Sequence, residues 1–246
     1  MVVMFKNDIE KLYSEFVAPN KASEYLELSL NLPFSFLEKY SNIEFPRVFQ
    51  ISEFKRLVKE YNIQPVSVLN YNGPDPELEY LEYKKIDYIN YEPILENNDL
   101  HNFRSEKQYD FIIFMETIEH LSNPFVAIEN IYNSAKRGGV VFTSVPTVNK
   151  IHDYPFNFTT GYTPVGLGAL FISAGFEIMH IGQWGNRKYI ELTFNYGWPT
   201  WKDMKNKSCL KSNIKKFIKS PFHFFQNGFL NEFDYPVKTW IMAKKI

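Results

Sequence analysis

Between Val66 and Ile181 the chain alternates short apolar runs with helices that carry their own start and stop signals, and this alternation fixes the fold class. Val66-Ser67-Val68-Leu69 follows Pro65 and breaks into the turn Asn70-Tyr71-Asn72-Gly73-Pro74, as a buried strand feeding a loop does. Ile86 to Tyr91 is a second strand, closed by Glu92-Pro93. Tyr109 to Met115 is a third, whose unbroken apolar middle predicts cover on both faces. A helix then starts with Asn123 as N-cap and Pro124 in first position, and Phe125, Ile128, Ile131, Tyr132 and Ala135 form its expected inward stripe. Gly138-Gly139 ends it ahead of the strand Val140 to Val145. Thr163-Pro164 opens the next helix, with Tyr162 placed to staple onto Leu167. Gly175 offers its left-handed C-cap, with Phe176 folding back on Phe171. Ile178 to Ile181 and Lys238 to Ala243 complete the strands.

Strands alternating with helices predict an α/β fold, a mainly parallel sheet with helices on both faces. Ligands in such sheets bind beyond the carboxyl ends of the strands, which assigns the chemistry to the loops after Leu69, Tyr91, Met115 and Val145. Residues 1–62 read as helical pieces punctuated by Pro19, Pro33 and Pro46, an N-terminal helical cap before a domain at 63–246. A single cysteine, Cys209, excludes a disulfide framework and a cysteine-based zinc site. With 27 basic and 28 acidic side chains there is no global field for gripping nucleic acid, and no nucleic-acid partner is expected. Met1 to Lys6 is too short for a signal peptide and no run approaches about 18 apolar residues, so the reading is cytoplasmic.

Several polar residues fall on the predicted mouth of the sheet. The loop from Asn70 to Pro76 is either an ordinary Asn-Gly turn or a place where backbone meets a nucleotide-type ligand. Glu92 stands where a carboxylate would accept both hydroxyls of a ribose, or is a solvated loop acid. Met115 to Pro124 is more specific: Glu119 and His120 are adjacent at the end of a buried strand, and a histidine serves as a base near neutral pH. The alternative is that Glu119 ties down loop N–H groups while His120 packs. His152-Asp153-Tyr154-Pro155 follows the Val145 strand, so His152 and His120 could line one cleft. Two histidines beside Asp153 or Glu116 form a loose His/carboxylate set, but their spacing matches no metal motif and no metal is assigned. Tyr154, Phe156, Phe158 and Trp184 are either an aromatic wall for an acceptor or core. Seven lysines between Lys202 and Lys219, then Pro221 to Phe225, suit either contact of segment 202–225 with an anionic membrane or lipid-linked acceptor, or a solvated helix face.

Taken in order, these pieces resemble the class I S-adenosylmethionine-dependent methyltransferases of the small-molecule type. Tyr109 to Ile113 leading into Ile118-Glu119-His120-Leu121 resembles the family's fourth strand and Glu-His signature. Lys136-Arg137-Gly138-Gly139 resembles the turn before its fifth strand, and Tyr162-Thr163-Pro164 and Ala174-Gly175-Phe176-Glu177 the stretch beyond. The resemblance spans about residues 64 to 182 plus the strand near Trp240. It implies a Rossmann-like seven-stranded sheet with the last strand antiparallel, an insertion at about 183–235, and methyl transfer from S-adenosylmethionine to a small-molecule, sugar- or lipid-linked acceptor. By position, Asn70, Asn72 and Gly73 would cradle the cofactor's methionine part and Glu92 its ribose. Asp99 and Leu100 would meet adenine, Met115 and Glu116 would lie near the sulfonium, and His120 or His152 would take a proton from an acceptor hydroxyl. The first turn departs from the family pattern, with Asn70-Tyr71-Asn72-Gly73-Pro74 in place of an acid and two or three glycines. The alternative it motivates is a non-catalytic binding or scaffold protein that keeps the fold and has lost the cofactor site.

Overall fold

A computed structural model describes residues 6–18, 32–90, 99–205 and 232–246. The helices are α1 (Lys6–Leu12, continued by a π-helical turn to Val17), α2 (Phe34–Lys39), α3 (Phe45–Glu60), α4 (Pro124–Ser134), α5 (Pro164–Ser173), α6 (Arg187–Tyr196) and α7 (Trp201–Lys205). The strands are β1 (Ser67–Tyr71), β2 (Lys85–Ile89), β3 (Tyr109–Met115), β4 (Ala135–Pro146), β5 (Phe176–Trp184) and β6 (Lys238–Lys245). They form one sheet in the order β2-β1-β3-β4-β6-β5. The pairs β1–β2, β1–β3 and β3–β4 are parallel, and β6 runs antiparallel to both β4 and β5. The expected Rossmann-like topology is present with its reversed last strand, but the sheet has six strands among the described residues rather than seven. The family's third strand would fall between β2 and β3, where residues 91–98 lie outside the described residues and 99–108 form turns.

Alternation along each strand builds two cores. Phe111, Ile113 and Met115 face α3, while Ile112 and Phe114 face α4 and α5. No residue of β3 from Phe111 to Met115 is more than 3% exposed, the double cover its apolar run predicted. The segment expected as a cap supplies α3, which lies on one face of the sheet; Phe54 packs on Phe111 and Phe142 with ring centroids 6.0 and 4.7 Å away.

The capping signals act as read. The Asn123 side chain accepts from the Val126 N–H (3.4 Å), and Thr163 from that of Gly166 (3.1 Å). Gly175 takes φ +98°, and Phe176 lies 5.3 Å from Phe171. Two stripe residues were misplaced: Phe125 is 49% exposed and Ala135 begins β4, and the helix's buried set is Ala127, Ile128, Asn130, Ile131 and Ser134. Pro124 starts the helix so that Phe125 falls on the side opposite Ala127, Asn130 and Ser134, which centre the buried face, and helical geometry overrides its apolar character. The helix also stops at Ser134, ahead of the glycines, because β4 begins at once and uses Gly138 (φ +78°) to turn. A Cβ on Gly139 would stand 2.9 Å from the carbonyl oxygens of Lys136 and Tyr109, so that position needs glycine.

Phe54→Ala should leave a cavity between α3 and the sheet and lower stability by about 3–5 kcal/mol, read from urea denaturation. An unchanged midpoint would mean that α3 is not part of the core.

Candidate functional site

The direction of chain winding reverses between β1 and β3, because β1 leads outward to β2 and β3 returns on its other side. The tips of these two strands therefore frame the crevice where open α/β sheets bind ligands. Asn70, near the tip of β1, is fully buried, and its amide lies against Asp75 without reaching hydrogen-bond geometry. Gly73 packs directly on that amide, where a Cβ would stand 2.2 Å from its nitrogen and oxygen. Asn72 is exposed, in a left-handed conformation (φ +71°), with its N–H bonded to the Ile89 carbonyl at 2.7 Å. Tyr71 points away from the crevice into the α4/α5 core, against Phe103 at 5.7 Å.

From α3, Arg47 reaches this tip: Nη2 lies 2.5 Å from Asp75 Oδ1 and 3.0 Å from Glu77 Oε2. Gln50 donates to Glu77 at 2.8 Å and to Met115 Sδ at 3.4 Å. Burial pushes the Asp75 carboxyl up to about 6 in spite of Arg47. Gln50 Oε1, Asn70 Oδ1 and Nδ2, and Asp75 Oδ2 are buried without a partner. A buried polar atom left unpaired costs about 1–3 kcal/mol, so a cluster of them marks a place built for a polar ligand. Among the described residues four acids, Asp75, Glu77, Glu116 and Glu44, stand near Arg47.

Beyond Met115 the chain turns at Glu116, whose φ of +48° is uncommon for a residue with a side chain. The Glu116 N–H bonds to the Ser144 carbonyl (3.0 Å), and its carboxylate accepts from Ser144 Oγ (2.5 Å). Lys238, the first residue of β6, lies 3.3 Å from Glu116 and 3.0 Å from Glu44 with its side chain 2% exposed. Burial lowers the affinity of Lys238 for its proton, but the two carboxylates outweigh it and the ammonium stays charged. Burial likewise pushes Glu44 up, and Lys238 with Arg47 brings it below the ordinary carboxylate range.

These charges form one wall of a cavity of about 170 Å³, whose other lining includes Glu119, Asn149, His152, Tyr189 and Trp198. Glu119 and His120 sit on the single 3-10 turn Ile118–His120. The Glu119 backbone carbonyl accepts from Phe158 (2.9 Å) and Thr159 (3.3 Å), so its main chain, not its carboxylate, ties down the loop. Its carboxyl is 1% exposed, and burial with the nearby Glu116 charge holds its pKa well above the usual range. His120 and His152 meet edge to face with ring centroids 4.8 Å apart.

Of the residues expected in the site, Asn70, Gly73, Met115 and Glu116 gather at the tips of β1 and β3, and His120 and His152 at the cavity beyond. Asp99 is bonded to His101, through Nδ1 (2.5 Å) and the backbone N–H (3.0 Å). Leu100 is fully buried in the core, its carbonyl held by Asn130 Nδ2 at 2.7 Å. Glu92 and most of the lysine-rich segment lie outside the described residues. Trp184 belongs to the core, stacked on Phe49 at 4.6 Å, so it cannot line an acceptor site; Tyr154 and Phe158 are exposed. Arg47, Gln50, Asp75 and Lys238 were not singled out from the sequence. The charges of Arg47 and Asp75 were visible, but the contact that joins α3 to the first loop has no local signature.

Residues 72–181 match the family model described as a methyltransferase domain. That match, over somewhat less than half of the chain, supports the resemblance to the class I S-adenosylmethionine-dependent methyltransferases. Its fold is similar to a provisionally assigned sarcosine dimethylglycine methyltransferase from Galdieria sulphuraria (12% identity, 81% of this chain and 87% of that one, TM-score 0.49). It is also similar to phosphoethanolamine N-methyltransferase 2 of Haemonchus contortus, solved with S-adenosyl-L-methionine (10% identity, 99% and 60%, TM-score 0.49). A third similar structure is an S-adenosylmethionine-dependent methyltransferase from Mesorhizobium loti (9% identity, 79% and 97%, TM-score 0.46). No curated protein sequence matches the chain.

Replacing Lys238 by Met should destabilise the protein by about 3–5 kcal/mol at neutral pH, because two carboxylates lose their buried counter-charge. A carboxylate whose folded pKa is depressed, as for Glu44, stabilises above its unfolded pKa and loses that effect as pH falls through the folded value. The gap between wild type and Lys238→Met in urea denaturation should therefore narrow from neutral pH toward about pH 4 or below. A gap independent of pH would contradict the charge assignment.

Proposed function

We propose that the chain transfers the methyl group of S-adenosylmethionine to a small-molecule acceptor, free or carried on a sugar or lipid, seated in the cavity beside Glu116, Glu119 and His152. The observation that supports this most is the set of unpartnered polar atoms on Gln50, Asn70 and Asp75. It is joined through Met115 and Ser144 to an acid- and imidazole-lined cavity. Bound there, the cofactor supplies an electrophilic methyl on sulfur; the protein's work is to align and desolvate the two reactants. Asn70, Asn72 and Gly73 hold the methionine part, with Asp75 facing its ammonium and Arg47 its carboxylate. Glu92 takes the ribose, Asp99 borders adenine while Leu100, expected beside it, is fully buried and supports that turn from the core, and Met115 and Glu116 flank the sulfonium.

On the acceptor side, His120 Nδ1 lies 2.8 Å from the Phe156 carbonyl and His152 Nδ1 2.9 Å from that of Lys150. A carbonyl only accepts, so in the neutral rings both Nδ1 atoms carry hydrogen and both Nε2 atoms present lone pairs. Either Nε2 is then set to receive the proton of an acceptor hydroxyl. Contact of segment 202–225 with a membrane or lipid-linked acceptor, and a cytoplasmic setting, belong to the same proposal. Among the described residues no helix is long and apolar enough to cross a membrane.

A second reading, a non-catalytic member of the family, draws on the β1–β2 connection. It contains only the 3-10 turn Pro76–Tyr80, so no helix N-terminus there offers backbone N–H groups to a ligand. Calorimetric titration with S-adenosylhomocysteine separates the two. Micromolar binding is expected, weakened roughly tenfold to a hundredfold by Asp75→Asn through loss of a charge-assisted bond. A folded protein that binds nothing at millimolar cofactor would establish the second reading.

A further inference from the structure

We propose that Glu119, His120, His152 and Asp153 form a binding site for one divalent first-row transition ion at the rim of the cavity. Ligand atoms of Glu119, His120 and His152 all lie within 4.8 Å of one another. His120 Nε2 is 3.9 Å from Glu119 Oε1 and 3.9 Å from Asp153 Oδ2; His152 Nε2 is 3.8 Å from that same Asp153 oxygen. These separations exceed hydrogen-bond length, yet two ligands on a tetrahedral ion with bonds of about 2.0–2.1 Å stand about 3.4 Å apart. Those three pairs need to close by about half an ångström, and the remaining pair among Glu119, His120 and His152, which lies within 4.8 Å, by up to about 1.4 Å.

Three further features point to an ion. Both histidines present Nε2 to the cluster while Nδ1 faces a backbone carbonyl, the outer bond that fixes tautomer and ring orientation in metal-bound imidazoles. Glu119 Oε2 is buried without a hydrogen-bond partner on a side chain 1% exposed, a carboxylate oxygen that a cation would satisfy. The loop that brings His152 and Asp153 is held by main-chain bonds, from the Phe158 and Thr159 N–H groups to the Glu119 carbonyl and from the Tyr162 N–H to Pro146, so its position does not depend on the cluster's side chains. Asp153 itself adopts φ +50°, which turns its carboxylate between the two rings.

Two imidazoles with two carboxylates suit zinc, manganese, iron or cobalt over calcium or magnesium, which prefer oxygen alone. Glu119 and His152 also line the cavity, so an ion held by them faces the place proposed for the acceptor. The site stands on side-chain geometry and does not depend on methyl transfer. If it is occupied, the imidazole lone pairs hold the ion, and an acceptor oxygen is polarised by coordination instead of losing its proton to Nε2.

The test is calorimetric titration of chelator-treated full-length protein with Zn²⁺, Mn²⁺ and Co²⁺, with the visible spectrum of Co²⁺ as a reporter of nitrogen and oxygen coordination. One ion per chain is expected. His152→Gln and Glu119→Gln should each weaken binding by about a hundredfold, with circular dichroism unchanged, while His101→Gln binds as wild type. Should Glu119→Gln fail to fold, His152→Gln carries the test alone, since that residue lies on a surface loop. No binding by wild type, equal binding by His152→Gln, or loss on His101→Gln would overturn the site. None of these results bears on cofactor binding, which is measured without metal.

Discussion

A single buried ammonium holds the cavity side of this molecule together. Lys238 is the point where β6 enters the sheet between β4 and β5, and its charge is taken out of water almost completely. Such a charge is tolerable only with carboxylates in contact, and the two that serve come from distant places in the chain. Glu44 ends the connection into α3, and Glu116 ends β3. Lys238 thus ties the N-terminal helices, the third strand and the last strand to one point, and the space left around that point is the cavity.

Glu116 links that cavity to the crevice at the sheet's switch point. Its left-handed backbone directs the carboxylate toward Lys238 and Ser144, while the preceding Met115 sulfur receives Gln50 from the other side. A cofactor over Asn70 and an acceptor beside His152 would therefore meet across two consecutive residues. The atypical first turn reads differently in this setting. Tyr71, bulky in sequence, is absorbed by the α4/α5 core, and Asp75, fixed by Arg47, brings a carboxylate to the loop after β1.

The strand–helix alternation and the caps were legible because they are local. A strand buried on both faces needs an unbroken apolar run, and Asn123-Pro124 and Thr163-Pro164 state where helices begin. Phe125 was not legible, since an apolar residue at a helix start carries no information on which side the core lies. The meeting of His120 with His152 was half legible: both follow strand ends on the mouth face, but only the loop's bonds to the Glu119 carbonyl set their distance. The contacts of Arg47 with Asp75 and of Lys238 with Glu44 could not be read. They pair charges 28 and 194 positions apart, and a solvated surface charge looks the same in sequence.

The central claim is that the tips of β1 and β3 hold the adenosyl sulfonium cofactor with its sulfur beside Glu116. A crystal structure determined after soaking with S-adenosylhomocysteine examines this directly. The account predicts ligand density whose amino-acid end contacts Asn70, Asp75 and Arg47 and whose sulfur lies near Met115 and Glu116. A ligand seated elsewhere, or a crevice unchanged at saturating ligand with Arg47 still closed on Asp75 and Glu77, would contradict it.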